Sequence, residues 1–282
     1  MNIQKVMVIG AGQMGSGIAQ VFAEFGFWVV LNDIKGEIIQ KGIEQIARQL
    51  ERDVEKGRRS EEEKTEILSR IRGSTDLAEA RDVQLAIEAA TENKEVKLSI
   101  IRRLDQIVPE KTILATNTSS ISITELAAAT TRPDKFIGMH FFNPVPVMKL
   151  VEVIRALATS EETFQKIMNI SKLINKVPVD VKDFPGFAVN RILIPMINEA
   201  IYCVYEGVAL PEDIDQVMKL GANHPMGPLA LADYIGLDVC LAIMEVLHEG
   251  HGDPKYRPCP LLQKYVKAGW LGVKTGRGFY KY

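Results

Sequence analysis

Residues 5–33, KVMVIGAGQMGSGIAQVFAEFGFWVVLND, carry two patterns in succession. Lys5 to Gly10 is apolar on both parities, as a parallel strand buried on both faces requires. Ile18, Val21, Phe22 and Phe25 then recur at helical spacing, and Phe27 to Leu31 forms a second apolar run that ends at Asn32 and Asp33. The stretch reads as strand, helix, strand, with Gly10, Gly12 and Gly15 at the first turn. A glycine there makes the tight turn, the next lets backbone approach a pyrophosphate, and the third lets helix and strand pack closely. The helix N-terminus would face the anion. Asp33 stands where a carboxylate accepts hydrogen bonds from a ribose diol and repels a 2′-phosphate, which favours NAD over NADP. FAD stays open on the same logic.

Outward from this unit, Lys35 to Arg72 departs from simple alternation. Ile39, Ile43, Ile46, Leu50 and Val54 form a helical stripe, KGRRS breaks it, and Ile67, Leu68 and Ile71 resume it, so a charged helical hairpin is predicted inside the crossover. Strand-like runs return at 83–89, 112–116, 136–142, 150–154 and 177–181, with helices over 94–107, 123–129 and 163–174 among them. Strands alternating with helices predict an α/β fold with a Rossmann-type doubly wound sheet. After the DFPG turn at Asp183 to Gly186 only helical patterns remain, over 188–205, 211–220, 228–248 and 261–268. The expected division is a dinucleotide-binding domain over 1–182 and an all-α domain over 183–282.

The 282 residues suit two ordinary domains, and 46% hydrophobic with 25% charged residues excludes a disordered or coiled-coil chain. A formal charge of -2 offers no sequence-wide attraction for nucleic acid. Cys203, Cys240 and Cys259 are odd in number and widely spaced, which predicts a reducing, cytoplasmic setting. No membrane segment is expected, because Asp233, Asp238 and Glu245 interrupt the apolar run from Leu229 to Leu247. No metal is expected either, since Glu245, His248 and His251 stand at helical spacing without the second copy that a di-iron site needs, and His224 reads as a turn residue.

The segments VIGAGQMGSGIAQ, IEAATENKEVK, ATNTSSISITELA, IGMHFFNPVPVMKLVEVI, DFPGFAVNRIL, GPLALADYIGLD and GVKTGRGFYKY together resemble the 3-hydroxyacyl-CoA dehydrogenase family. The resemblance spans both expected domains, and HFFNP with the following glutamate is its most specific part. It implies NAD as cofactor, a short-chain acyl-CoA such as 3-hydroxybutyryl-CoA or acetoacetyl-CoA as substrate, and a helical domain that dimerises. A homodimer or a larger even assembly is therefore expected.

Oxidising a secondary alcohol needs a group that takes the hydroxyl proton while hydride leaves, and histidine suits that exchange near neutrality. His140 lies at a predicted strand end, on the carboxyl side of the sheet where such folds place ligands. Glu152 starts the next strand and could hold the far imidazole nitrogen. The resemblance implies that His140 and Glu152 are the catalytic pair, and that Ser119 and Asn190 hydrogen-bond the substrate oxygens. Helix capping is the alternative role for Ser119 and Asn190. The resemblance also sets Gln13, Met14, Ala89, Glu92, Lys97, Asn143 and Lys274, with Ser119, beside the cofactor. Phosphates of CoA need cations, and Arg52 and Lys56, one turn apart, are the hairpin candidates, with Arg58, Arg59 and Lys64 as alternatives. Two rival readings are an NAD-dependent sugar-acid dehydrogenase and a non-catalytic NAD-binding sensor, the latter having no need for His140 and Glu152 together.

Overall fold

The computed structural model describes residues 3–282. Its first compact unit ends at Asp183 and its second runs from Phe184 to Tyr282.

The first unit is built on an eight-stranded sheet among the described residues, in the order β3-β2-β1-β4-β5-β6-β7-β8. The strands are β1 (Lys5–Ile9), β2 (Trp28–Asn32), β3 (Ile71–Ser74), β4 (Leu85–Glu88), β5 (Ile113–Thr116), β6 (Phe136–Phe141), β7 (Leu150–Arg155) and β8 (Val177–Lys182). Every neighbouring pair is parallel except β6 with β7. Central strands are buried throughout: Val6, Met7, Val8, Leu85, Ala86 and Ile87 have no exposed surface, which explains their lack of apolar-polar alternation. The helices are α1 (Gln13–Glu24), α2 (Gly36–Glu55), α3 (Glu61–Ser69), α4 (Lys94–Ile107), α5 (Ile123–Ala127) and α6 (Glu161–Leu173).

The helical hairpin is present as α2 and α3. Ile39, Ile46 and Leu50 of α2 are buried, and Ser60 and Glu63 form a reciprocal capping box that starts α3 after the KGRRS break. One expectation needs correction here. Ile71 and Arg72 do not continue the α3 stripe; they open β3, a four-residue edge strand parallel to β2. Only Ile71 is buried in it, and Gly73 passes so close to Ile39 that an added Cβ would lie 2.4 Å from its side chain. A strand with one buried residue leaves no period to read.

Because β1, β4, β5 and β6 are parallel, their carboxyl ends share one sheet edge, and the sheet reverses direction of growth between β1 and β4. Such a reversal is where open α/β sheets bind ligands. The antiparallel turn-back of β7 brings its beginning to that same edge.

The second unit is helical: α7 (Val189–Tyr205), α8 (Pro211–Gly221), α9 (Pro228–Ile235), α10 (Leu237–His251) and α11 (Pro260–Lys267). Its core gathers Ile194, Ile197 and Ile201 of α7 with Leu229, Met244, Leu247 and Leu262. The single helix expected over 228–248 is two helices, broken at Gly236, whose φ of 106° no helix accommodates. Among the described residues no helix is long and apolar enough to cross a membrane.

Candidate active site

The glycine loop follows β1. Gly10 has φ 103°, and an added Cβ there would sit 2.5 Å from the carbonyl oxygen of Ala89, the residue after β4. Gly15 is tighter still, since its Cβ would fall 1.7 Å from the Gly10 oxygen. At Gly12 a Cβ would meet nothing within 4 Å, so the loop backbone is open to an approaching ligand at that point. The α1 N-terminus that follows has neither a side-chain cap nor an acidic residue in its first turn. It therefore presents backbone N–H groups and the positive dipole end in a form suited to a pyrophosphate. Gln13 and Met14 form its first turn, with Met14 packed on the sheet core.

Asp33, one residue past β2, accepts the Ala11 amide at Oδ2 and the Ile34 amide at Oδ1, both at 2.8 Å. These bonds fix the carboxylate beside the loop, and each oxygen keeps a lone pair for a diol. Helix terminus, open glycine and oriented carboxylate together fit a dinucleotide.

His140 and Glu152 are directly opposed in the β6–β7 register. Their side chains meet with His140 Nδ1 and Glu152 Oε2 2.8 Å apart, and the histidine is 6% and the glutamate 1% exposed. Phe142 packs its ring 4.5 Å from the imidazole. A parallel β7 would have left the two residues at opposite edges, so strand reversal makes the contact. With Nδ1 held by the carboxylate, such an imidazole can exchange a proton through Nε2.

Glu92, 38% exposed, gathers the Asn117–Ser120 loop onto one carboxylate oxygen. Its Oε1 accepts from Thr118 Oγ1 at 2.6 Å, the Ser119 amide at 2.8 Å and Ser120 Oγ at 2.9 Å. Burial alone would raise this carboxyl, but the Lys97 charge and the bonds from Thr118, Ser119 and Ser120 outweigh it and hold it below the usual range. Ser119 also donates from Oγ to Glu92 at 3.2 Å, so it does not cap α5; Ser122 does. Asn117 accepts the Phe141 amide at 2.8 Å and ties this loop to the end of β6.

Lys97 is 1% exposed, with its ammonium 2.9 and 3.0 Å from the two oxygens of Glu88 and 3.3 Å from Glu92. It thus supports Glu92 from beneath. Glu88, fully buried, was not singled out by sequence reasoning. The acid at the end of a central apolar strand, nine residues before Lys97, is the signal that could have found it.

Asn143 borders a cavity of about 290 Å³ walled by Gln13, Gln20, Gln49, Arg52 and Val145 among others. Arg52 and Lys56 are exposed and form no ion pair among the described residues. The alternative hairpin cations are neutralised: Arg58 pairs with Asp53, Arg59 with Glu24, and Lys64 with Glu51 and Glu61. In the second unit, Asn190 is the second residue of α7, whose cap is Ala188, so it is not the capping residue. Lys274 pairs with Asp238.

Family models for the 3-hydroxyacyl-CoA dehydrogenase NAD binding domain and C-terminal domain match residues 5–184 and 186–282. A probable 3-hydroxybutyryl-CoA dehydrogenase of Bacillus subtilis is 62% identical over all of this chain and 98% of its own. The human mitochondrial hydroxyacyl-coenzyme A dehydrogenase is 48% identical, over 99% of this chain and 91% of its own. Among solved structures, (S)-3-hydroxybutyryl-CoA dehydrogenase from Ralstonia eutropha superposes with a TM-score of 0.97 at 54% identity, covering 100% of this chain and 99% of that one. With its glycine loop, its opposed histidine and glutamate and both halves matched end to end, the chain belongs to the 3-hydroxyacyl-CoA dehydrogenase family, an NAD-dependent family of oxidoreductases.

Proposed function

We propose that the chain interconverts a short-chain (S)-3-hydroxyacyl-CoA and its 3-oxoacyl-CoA, with 3-hydroxybutyryl-CoA and acetoacetyl-CoA as the preferred pair. The carrying observation is the buried 2.8 Å contact between His140 Nδ1 and Glu152. A purely structural or sensing NAD protein has no use for a proton carrier held in one tautomer at the ligand-binding edge. The names of the relatives support the acyl-CoA reading over a sugar acid.

When bound, NAD supplies the hydride acceptor, and NADH the donor, for C3 of the substrate. His140 takes the 3-hydroxyl proton at Nε2 during oxidation and returns it to the ketone oxygen during reduction. Glu152 holds the ring in the tautomer that leaves a lone pair on Nε2 and offsets the positive charge that develops on it. Ser119 and Asn190 orient the substrate oxygens. Gly10, Gly12, Gly15, Gln13, Met14, Asp33, Ala89, Glu92, Asn143 and Lys274 bind or border the cofactor, with Lys97 acting through Glu92. Arg52 and Lys56 meet the CoA phosphates. Residues 1–182 serve as the cofactor domain and 183–282 as the substrate and dimerisation domain of a cytoplasmic homodimer in butyrate and fatty acid metabolism.

The test is NADH oxidation with acetoacetyl-CoA set beside free acetoacetate and a sugar keto acid. Turnover confined to acetoacetyl-CoA supports the proposal. Equal or better turnover of the sugar keto acid refutes it, and binding of NADH without turnover of any of the three supports the sensor.

A further inference from the structure

Lys176, between α6 and β8, is 6% exposed and yet forms no ion pair among the described residues. Burying an ammonium without a carboxylate partner is costly, so its hydrogen bonds must organise something. Its Nζ donates to the carbonyl oxygens of Val145 and Met148, the latter at 2.8 Å. Both belong to the segment that turns β6 back into β7, itself closed by the Val147 and Met148 amides bonding to the Pro144 oxygen. The other side of this segment leans on α1. Val145 is 2% exposed, and a Cβ added at Gly17 would lie 2.9 Å from the Val145 Cβ. Asn143, Pro144, Val145 and Pro146 meanwhile share one cavity wall with Gln13 and Gln20 of α1.

We propose that Lys176 is a positioning residue for the cofactor side of the site: its ammonium clamps the β6–β7 segment, through two carbonyls, against the helix that follows the glycine loop. Lysine fits the task because a compact head with three donors on a flexible stem can serve two carbonyls three residues apart. Burial also pushes its pKa down, with the Lys149 charge adding to the effect and Glu24 opposing it. Asn143 lies two residues from the clamped Val145 carbonyl, so loosening the clamp displaces the side chain that the proposed function sets beside NAD. The inference rests on that reading of Asn143 for its kinetic consequence, but not for the clamp itself.

Lys176→Met keeps the buried stem and removes the donors. In the full-length protein, backbone hydrogen exchange should quicken over 142–149 and stay unchanged over 136–141, which holds His140. The Kd for NADH should rise about tenfold, since misplacing a contact by a fraction of an ångström loses affinity steeply, while kcat falls by no more than about threefold. Lys176→Met combined with Asn143→Ala should bind NADH no worse than Asn143→Ala alone. If Lys176→Met does not fold, Lys176→Gln carries the same test, because its shorter head cannot reach both carbonyls. Unchanged exchange over 142–149, or a uniform increase across the first unit, would overturn the clamp. Multiplicative losses in the double variant would overturn the route through Asn143. Normal NADH binding by Asn143→Ala would instead remove the cofactor role of Asn143 and leave the exchange result to decide the clamp.

Discussion

Replacing Lys97 by Met tests whether the buried ion cluster beneath the Asn117–Ser120 loop holds the site together. Lys97 and Glu88 are 1% and 0% exposed, and the ammonium bridges Glu88 and Glu92 at 2.9–3.3 Å. Removing one partner of such a buried pair strands the other and costs about 3–5 kcal/mol. The lower end applies, because Glu88 would still accept from Thr116 Oγ1 and the Ala90 amide, both at 2.7 Å. A loss of about 3 kcal/mol should lower the melting temperature of the first unit by roughly 6–12 °C at this size. The pH dependence gives a second readout. Glu92 has a depressed pKa, so the stability it contributes is present above its unfolded value and is lost as pH falls through the lower folded one. Lys97→Met removes the largest of the influences that depress it, and calorimetric scans from pH 7 down to about pH 3 should show a flatter acid limb than the wild type. Adding Glu88→Gln should restore part of the loss, since no charge is then stranded at Glu88. A Lys97→Met protein that melts with the wild type at pH 7 would refute the reasoning.

Asp33→Ala should weaken NADH binding and narrow its advantage over NADPH, because the diol acceptor and the repulsion of a 2′-phosphate disappear together; steady-state constants for both cofactors check it, and a wild type that already prefers NADPH contradicts it. Arg52→Ala with Lys56→Ala should raise KM for acetoacetyl-CoA roughly tenfold with kcat little changed, as remote phosphate contacts are alike in ground and transition states. That difference should shrink as salt rises. An unchanged KM at low ionic strength would mean that the hairpin face is only solvated.

The cofactor half of the site was legible because its signal is local. An apolar run, three glycines, a helical stripe and Asp33 all lie within 29 consecutive residues; Gly15 packs on Gly10 and Asp33 accepts the Ala11 amide inside that unit, while the Ala89 carbonyl that crowds Gly10 comes from beyond it. His140 and Glu152 were legible as a pair at adjacent strand ends, without the geometry that joins them. What joins His140 to Glu152 is the reversal of β7, and the signal for it was present unread: only eight residues separate Phe141 from Leu150, too few for the crossover that a parallel strand needs. Asn117 and Lys176 escaped because each acts on backbone brought close by the sheet, not by sequence. Lys176 reaches carbonyls 31 and 28 residues upstream, and no local pattern encodes that distance. Asp183 is similar, accepting the Ile123 and Thr124 amides at the start of α5 from 60 and 59 residues away. β3 was hidden for the opposite reason, since a four-residue edge strand with one buried side chain has no pattern to show.

The central claim, that His140 and Glu152 work as one proton-transfer unit, is tested most directly by the kinetics of acetoacetyl-CoA reduction in His140→Ala, Glu152→Gln and the double variant. His140→Ala should lower kcat by about 10² to 10⁴, the contribution of a positioned acid-base group, with the Kd for NADH unchanged because the glycine loop is untouched. Glu152→Gln should also lose most activity, and the double variant should be scarcely slower than His140→Ala, since Glu152 has nothing to orient once the imidazole is gone. Losses that multiply in the double variant, or a His140→Ala enzyme that keeps more than about a tenth of wild-type kcat, would contradict it.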